Sequence, residues 1–163
     1  MIMRARLPHR GFTLIELMMT VAIIGLLASV ALPMAELTVQ RHKEQELRTA
    51  LRDIRNAIDA YRTATEDGRV QSGRTLSGYP PSLQTLVDGV PDARSPDGKV
   101  KIYFLRRIPR DPFVSDPAIA DDETWGKRSY ASPADNPEEG EDVFDIYSLA
   151  TGTGLNGIVY RKW

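Results

Sequence analysis

The chain has 163 residues, a formal charge of −1 and no cysteine, which fits one modest globular domain and excludes disulfides, thiol nucleophiles and thiolate metal sites. His9 lies in a basic N-terminal stretch and His42 in a charged stretch, so neither a histidine-based metal centre nor a Ser-His-Asp triad is favoured. Without the three arginines of the first ten residues, 18 basic side chains stand against 22 acidic ones. That balance argues against nucleic-acid binding, which needs a basic surface.

An apolar run follows the basic start. Residues 12–32 contain a single charge, Glu16, and a helix of that length spans about 31 Å, close to the hydrocarbon thickness of a bilayer. The arginines before the run predict that residues 1–11 stay in the cytoplasm and that the C-terminal domain lies outside. An ordinary signal peptide ending near residues 29–31 is the alternative. It is disfavoured because the run is long, Glu16 interrupts its start, and helix-compatible sequence resumes after Pro33.

A helical pattern continues beyond the apolar run. Residues 33–65 predict an amphipathic helix that continues residues 12–32 and packs against a domain, because apolar residues recur every three to four positions. The stripe covers only about two heptads, which is too short to favour a coiled coil. Its apolar members are Leu47, Leu51, Ile54, Ile58 and Tyr61.

The remainder, residues 66–163, predicts loops, a short helix and a small antiparallel sheet. Residues 79–87 indicate a turn into a short helix. The fold class is therefore α+β: a long N-terminal helix, transmembrane in its first half and amphipathic in its second, packed on a small antiparallel β-sheet. The predicted strands are residues 128–131, 143–149 and 158–162. Residues 151–157 are the predicted turn between the last two strands. Residues 101–105 are predicted to form either a strand or a helical turn.

The start of the apolar run resembles a known motif. Residues 11–17 read GFTLIEL, and residues 22–28 (AIIGLLA) and 31–33 (ALP) continue the pattern. This sequence is similar to the processing and methylation motif of type IV pilin-like proteins. The resemblance implies that a prepilin peptidase cuts between Gly11 and Phe12 and that Phe12 is then N-methylated.

Glu16 is the residue to which the resemblance gives a role in assembly. It follows Phe12 by one helical turn on the same face, so its carboxylate can neutralise the α-ammonium that cleavage creates. In the family, this glutamate pairs with the N-terminus of an adjacent subunit. The alternative is that Glu16 extends to the lipid headgroups. Gly25 and Pro33 are predicted to perturb the helix, because both residue types weaken or kink helices.

Three later segments resemble the major pseudopilin of type II secretion systems: residues 79–81 (YPP), 109–113 (PRDPF) and 145–148 (DIYS). The resemblance implies a pilin-like structural subunit, not an enzyme, that assembles into a periplasmic pseudopilus driving protein export. Its implied partners are prepilin peptidase, further copies of itself, other pseudopilins and inner-membrane secretion assembly proteins, but not nucleic acid. Its implied location is the bacterial inner membrane, with the C-terminal domain in the periplasm.

Two alternatives stay open at this point. A type IV pilus or competence pilin shares the same N-terminus, although such pilins commonly close their C-terminal region with a disulfide and this chain has no cysteine. A membrane-anchored periplasmic enzyme or binding module is the alternative from another class. It would need a catalytic constellation in the domain, and none is evident.

Metal binding and partner docking are the remaining predictions. Major pseudopilins hold calcium in the loop between their last two strands, but the matching loop of this chain contains no Asp or Glu. Asp145, Ser148 and Asn156 are therefore the candidate calcium ligands, since calcium prefers oxygen donors. Acidic residues also cluster within residues 116–123 and 135–142. Such runs predict either solvated surface or a face that docks a partner or an ion.

Overall fold

The computed structural model describes residues 11–71, 75–96 and 99–163. The predicted leader, residues 1–11, lies outside the described part of the chain apart from Gly11. The described chain divides into an N-terminal unit that ends at Gln40 and a C-terminal unit, Arg41–Trp163. One long helix, α1 (Leu14–Glu66), contributes residues to both units, and its extent agrees with the predicted helix to within two residues at either end.

The N-terminal unit is helical and exposes its apolar side chains. Phe12 is 84% exposed and Ile24 is 64% exposed, and every described side chain from Gly11 to Val39 is exposed. By length and composition, α1 contains a stretch that could cross a membrane. Nothing within this unit covers its described apolar surface.

The C-terminal unit contains the core. The predicted stripe on α1 is buried, with Leu47, Ile54 and Ile58 at 0% exposure. Burying an aliphatic side chain of this size stabilises a fold by about 1.5–3 kcal/mol. The stripe forms a single hydrophobic cluster with residues from the rest of the unit, which include Val70, Leu83, Leu86, Val90, Ile108, Trp125, Val143, Ile146 and Tyr160.

A short helix and a two-stranded sheet follow α1. Helix α2 (Leu83–Asp88) begins where the Ser82 side chain accepts a hydrogen bond from the Thr85 N–H at 3.3 Å, and it confirms the predicted short helix. Strand β1 (Val90–Pro91) pairs antiparallel with β2 (Lys101–Ile102). Gly89 joins α2 to β1 with φ = 71°, and a Cβ there would lie 2.8 Å from the Tyr103 ring and 2.9 Å from the Ile102 carbonyl oxygen. Glycine therefore fits this tight connection.

The second sheet lies later in the chain. A 3₁₀ turn, Asp121–Thr124, leads into β3 (Trp125–Arg128), which pairs antiparallel with β4 (Asp145–Ser148) so that Trp125 is opposite Ser148. The predicted strand 143–149 is confirmed in its central part. The predicted strand 128–131 is wrong except at Arg128, because residues 129–132 form a turn in which the Ser132 N–H donates to the Ser129 carbonyl at 3.1 Å.

The predicted last strand, residues 158–162, is also wrong. Tyr160–Lys162 forms a 3₁₀ turn, preceded by an isolated bridge between Thr153 and Val159. Tyr160 is 3% exposed, and the Trp163 ring packs against the Arg48 guanidinium at 4.4 Å. Residues three apart point to opposite faces of a strand but to the same side of a helical turn. Both aromatic rings can thus face α1 only in the turn, and the α+β, pilin-like class is confirmed with two small antiparallel sheets.

Candidate functional site

The Gly11–Phe12 bond is exposed and lies just outside regular structure. Residues 11–13 are not helical, and α1 begins two residues after Phe12. A Cβ added at Gly11 would meet nothing within 4 Å. Exposed backbone beside the end of an element is the preferred setting for proteolysis. The predicted cleavage position is therefore accessible in the chain as folded.

Thr13 caps the helix that follows this bond, a role that the sequence analysis did not assign. The Glu16 N–H donates to the Thr13 side-chain oxygen at 3.3 Å, and Glu16 is the acidic residue of the first turn. A threonine followed three residues later by a glutamate is the capping-box pattern, so the signal was present in the sequence. The carboxylate also lies at the positive end of the helix dipole, where negative charge is favoured.

Gly25 and Pro33 are both helical in this structure, since α1 is continuous from residue 14 to residue 66. A Cβ at Gly25 would meet nothing within 4 Å, so no close neighbour in the described chain requires glycine there. Their predicted role in perturbing the helix stays a prediction.

The three candidate calcium ligands each have another partner. The Asp145 carboxylate accepts a hydrogen bond from the Arg55 Nε at 2.8 Å. The Ser148 hydroxyl donates to the Asp111 carboxylate, and the Asn156 side-chain oxygen accepts from the Ile158 N–H at 3.0 Å. Among the described residues, no group of three or more His, Cys, Asp or Glu is arranged to hold a metal ion.

This donor set fits calcium poorly. Its one carboxylate is hydrogen-bonded to a guanidinium, whereas calcium sites use about six to eight oxygen ligands, many of them from carboxylates. A calcium ion at Asp145 would have to compete with Arg55, which also donates to the backbone oxygens of Ile146 and Trp163, each at 3.0 Å. Calcium binding by Asp145, Ser148 and Asn156 stays a prediction.

Glu44 fastens the C-terminal loop to α1, and sequence analysis missed it. Its side chain is buried, at 6% exposure, and Oε1 accepts from the Leu155 N–H at 2.8 Å and from the Tyr160 hydroxyl at 3.1 Å. The signal was its position three residues before Leu47, which places a carboxylate on the apolar face of the helix. A buried carboxylate needs hydrogen-bond donors, and here the loop supplies them.

Comparison with known proteins supports the assignment of the N-terminal motif. The family described as "Prokaryotic N-terminal methylation motif" matches residues 6–32. Type II secretion system core protein G of Klebsiella pneumoniae is 30% identical over 144 residues, which cover 83% of this chain and 92% of that protein. The protein of the same name in Escherichia coli K12 is 26% identical over 152 residues, covering 91% and 97%.

A pilus protein is also similar, over a shorter part of the chain. The type IV major fimbrial protein FimA of Dichelobacter nodosus is 38% identical over 81 residues, which cover 50% of this chain and 48% of that protein. No solved structure matches the chain.

A methylation motif at an exposed Gly-Phe bond, an uncovered apolar helix and a small α+β domain together define a type IV pilin-like protein. Within that class, the chain belongs to the family of type II secretion system core protein G, the major pseudopilins. The predicted family is confirmed, and a secretion pseudopilin is favoured over a pilus subunit. The related proteins are structural pseudopilins and pilins rather than enzymes.

Proposed function

We propose that prepilin peptidase cuts this pseudopilin between Gly11 and Phe12, that Phe12 is then N-methylated, and that the mature chain assembles into a periplasmic pseudopilus that drives protein export. Before assembly, residues 12–32 anchor the chain in the inner membrane with residues 33–163 in the periplasm. Further copies, other pseudopilins and inner-membrane secretion assembly proteins are its partners. The observation that carries the proposal is that an exposed apolar helix, capped by Thr13, begins directly after an exposed Gly11–Phe12 bond.

The chemistry of the new N-terminus explains why Glu16 is needed. Cleavage leaves an α-ammonium on Phe12 at the positive end of a helix dipole, where positive charge is disfavoured. An unpaired charge in a low-dielectric environment costs several kcal/mol. The Glu16 carboxylate, one turn along, offsets this cost when it pairs with the ammonium of a neighbouring subunit. Because the pairing works only at one stagger between helices, it selects the register of assembly.

Replacing Glu16 tests the proposal. In cells that carry the secretion apparatus, Glu16→Ala should lose its leader normally, as judged by mass, but should fail to enter the sheared filament fraction. Glu36→Ala is the matched control, since Glu36 is an exposed carboxylate in the same helix and N-terminal unit, and it should enter filaments. Normal incorporation of Glu16→Ala would contradict the proposed role.

A further inference from the structure

A groove with a basic rim lies between α1 and the C-terminal residues. Its volume is about 1020 Å³, and its lining includes Arg41, Arg48, Arg52 and Lys162. Apolar side chains of the last residues also line it, with Leu155 44% exposed and Ile158 47% exposed. The groove therefore combines cationic side chains with partly exposed apolar surface, as a protein-binding surface does.

One cation in the lining, Arg55, pairs with Asp145 at 2.8 Å, and the other four differ from it. Within the described residues, Arg41, Arg52 and Lys162 form no ion pair, and Arg48 packs on the Trp163 ring. Glu44 is the one acidic side chain among the lining residues, and it is buried beneath the C-terminal loop. Arg41, Arg52 and Lys162 are exposed, so the rim presents positive charge to solvent.

Residues 135–141, which we call the acidic segment, carry the opposite charge elsewhere on the C-terminal unit. Asp135, Glu138, Glu139 and Glu141 are all exposed. No Lys or Arg occurs anywhere from residue 129 to residue 160. The segment therefore offers four carboxylates to a partner without a neighbouring cation in the sequence.

The acidic segment is held in a defined shape. Asp142, 6% exposed, accepts from the Ser129 hydroxyl at 2.9 Å and from the Tyr130 N–H at 2.8 Å. The Glu138 carbonyl accepts from the Ser129 N–H at 2.9 Å, and a Cβ at Gly140 would lie 2.7 Å from the Ser129 hydroxyl oxygen. Because the backbone is already ordered, docking of the segment costs little conformational entropy.

The acidic segment does not line the basic groove of the same chain. It borders a different cavity, with Thr75, Ser77 and Tyr130, and the two linings share no residue. Two complementary surfaces at different places on the same chain join copies head to tail, and a head-to-tail contact that does not close into a ring produces an open helical polymer. Such a pair of surfaces is what a subunit of a helical filament requires.

We propose that the acidic segment of one subunit docks into the basic groove of the next, and that this contact links the C-terminal units along the filament. It rests on the proposed function, and it adds a contact between C-terminal units to the packing of the N-terminal helices. Arg52 and Lys162 receive the carboxylates of Glu139 and Glu141, while the apolar side chains beneath them exclude water.

Cysteine cross-linking tests the contact directly, since the chain has no cysteine of its own. A full-length chain with both Arg52→Cys and Glu139→Cys, expressed with the secretion apparatus and treated with a short bismaleimide cross-linker, should give a ladder of covalent multimers in sheared filaments. A bifunctional reagent is needed because an Arg–Glu ion pair holds its two Cα atoms farther apart than the roughly 7 Å that a disulfide allows. The matched control pairs Arg52→Cys with Glu123→Cys, an exposed acid outside the segment, and should give no ladder.

Charge reversal provides a second test. Arg52→Glu with Lys162→Glu, and separately Glu139→Lys with Glu141→Lys, should each lower filament recovery by at least about tenfold through like-charge repulsion. The four changes combined should restore recovery to near the wild-type level. Glu123→Lys should have no effect. Leader removal and the amount of subunit in the membrane, measured in every variant, identify any chain that fails to fold.

The outcomes separate this proposal from the one on which it rests. Normal wild-type filaments without a ladder, or without rescue by the combined variant, would overturn the docking contact and leave the proposed function intact. A wild-type chain that forms no filaments would overturn both. If the groove variant instead loses binding to vesicles of anionic phospholipid while the segment variant assembles normally, the groove serves the membrane surface and the proposal is wrong.

Discussion

Two isoleucines on α1 show how differently its two parts are used. Ile24, in the N-terminal unit, is 64% exposed, whereas Ile58, in the C-terminal unit, is 0% exposed. Both lie in the same regular helix. Helix formation is thus common to both units, but only the C-terminal unit supplies the side chains that cover its own apolar surface.

The difference shows where each unit obtains its stability. Eleven large apolar side chains from Phe12 to Leu27 are exposed. Burying all of them would stabilise the N-terminal unit by on the order of 20 kcal/mol relative to leaving them in water. In the C-terminal unit, by contrast, the apolar stripe of α1 is buried in the core. The N-terminal unit therefore needs an apolar environment from outside the chain to cover this surface, which the proposed membrane anchoring and filament assembly would both supply.

The strongest test of this comparison exchanges one isoleucine at a time. Ile58→Ala should destabilise the C-terminal unit by about 2–5 kcal/mol, because it opens a cavity in a packed core. Ile24→Ala should leave the stability of that unit unchanged. Urea unfolding of the full chain in detergent, followed by tryptophan fluorescence, measures this directly because Trp125 and Trp163, the two tryptophans, both lie in the C-terminal unit. Equal effects of the two substitutions would contradict the view that Ile24 does not contribute to the stability of the C-terminal unit.

Two glycines give a sharper version of the same contrast. Gly126 lies in β3, where a Cβ would come within 2.2 Å of the Tyr147 ring, whereas Gly25 has open space around it. Gly126→Ala should destabilise the C-terminal unit by about 1–3 kcal/mol through overpacking. Gly25→Ala should leave that unfolding transition unchanged while it strengthens α1, since alanine is the better helix former. If Gly25→Ala also blocks filament assembly, the predicted need for a perturbed helix is supported.

The parts of the fold that follow a single periodicity were predictable from the sequence. α1 and its buried stripe were predicted because an apolar run of helical length is followed by a 3.6-residue pattern from Leu47 to Tyr61. The segment 158–162 was not, because its apolar and aromatic residues suit a strand locally. Its true conformation depends on the contacts that Tyr160 and Trp163 make with α1, and tertiary contacts of this kind leave no periodic signal.

The candidate functional residues also fall into those that the sequence predicted and one that it did not. Gly11, Phe12 and Glu16 were predicted because they lie within one short motif, GFTLIEL, that resembles a known processing motif, and their roles stay predictions. Glu44 was missed because its donors, Leu155 and Tyr160, lie more than 110 residues away in the chain. A carboxylate on an otherwise apolar helix face shows that a donor must exist but does not identify it.

Glu44 is also where the C-terminal unit can be weakened without disturbing its apolar core. Glu44→Ala should destabilise the unit by about 1–2 kcal/mol, because it removes the acceptor that Leu155 and Tyr160 use. It should also make residues 151–157 more susceptible to limited proteolysis. Glu46→Ala is the matched control: its partner is His42 in an exposed pair at 3.3 Å, which contributes little. Equal protease resistance of Glu44→Ala and wild type would contradict the fastening role of Glu44.

The smallest effect is expected at an ion pair that joins two loops of the C-terminal unit. The Arg69 Nη2 donates to the Asp92 Oδ2 at 2.6 Å, and the Arg94 N–H donates to the Asp92 Oδ1 at 3.0 Å. The hydrogen bond from Arg69, followed by that from Arg94, lowers the pKa of Asp92 below its usual value. The same hydrogen bond raises the pKa of Arg69.

The sign of the pH dependence follows from the lowered pKa of Asp92. A carboxyl group that is more acidic when folded contributes stability above its unfolded pKa of about 3.9, and loses that contribution as the pH falls through its folded pKa. Asp92→Asn should therefore be less stable than wild type at pH 7, and its stability should change less between pH 5 and pH 3. Arg69→Gln should flatten the same pH profile, because it removes the donor that lowers the pKa. Urea unfolding at each pH, with the double variant included, measures the coupling. If Asp92→Asn keeps the wild-type slope, acid sensitivity arises from other carboxylates, and the two loops are joined by packing rather than by this charge pair.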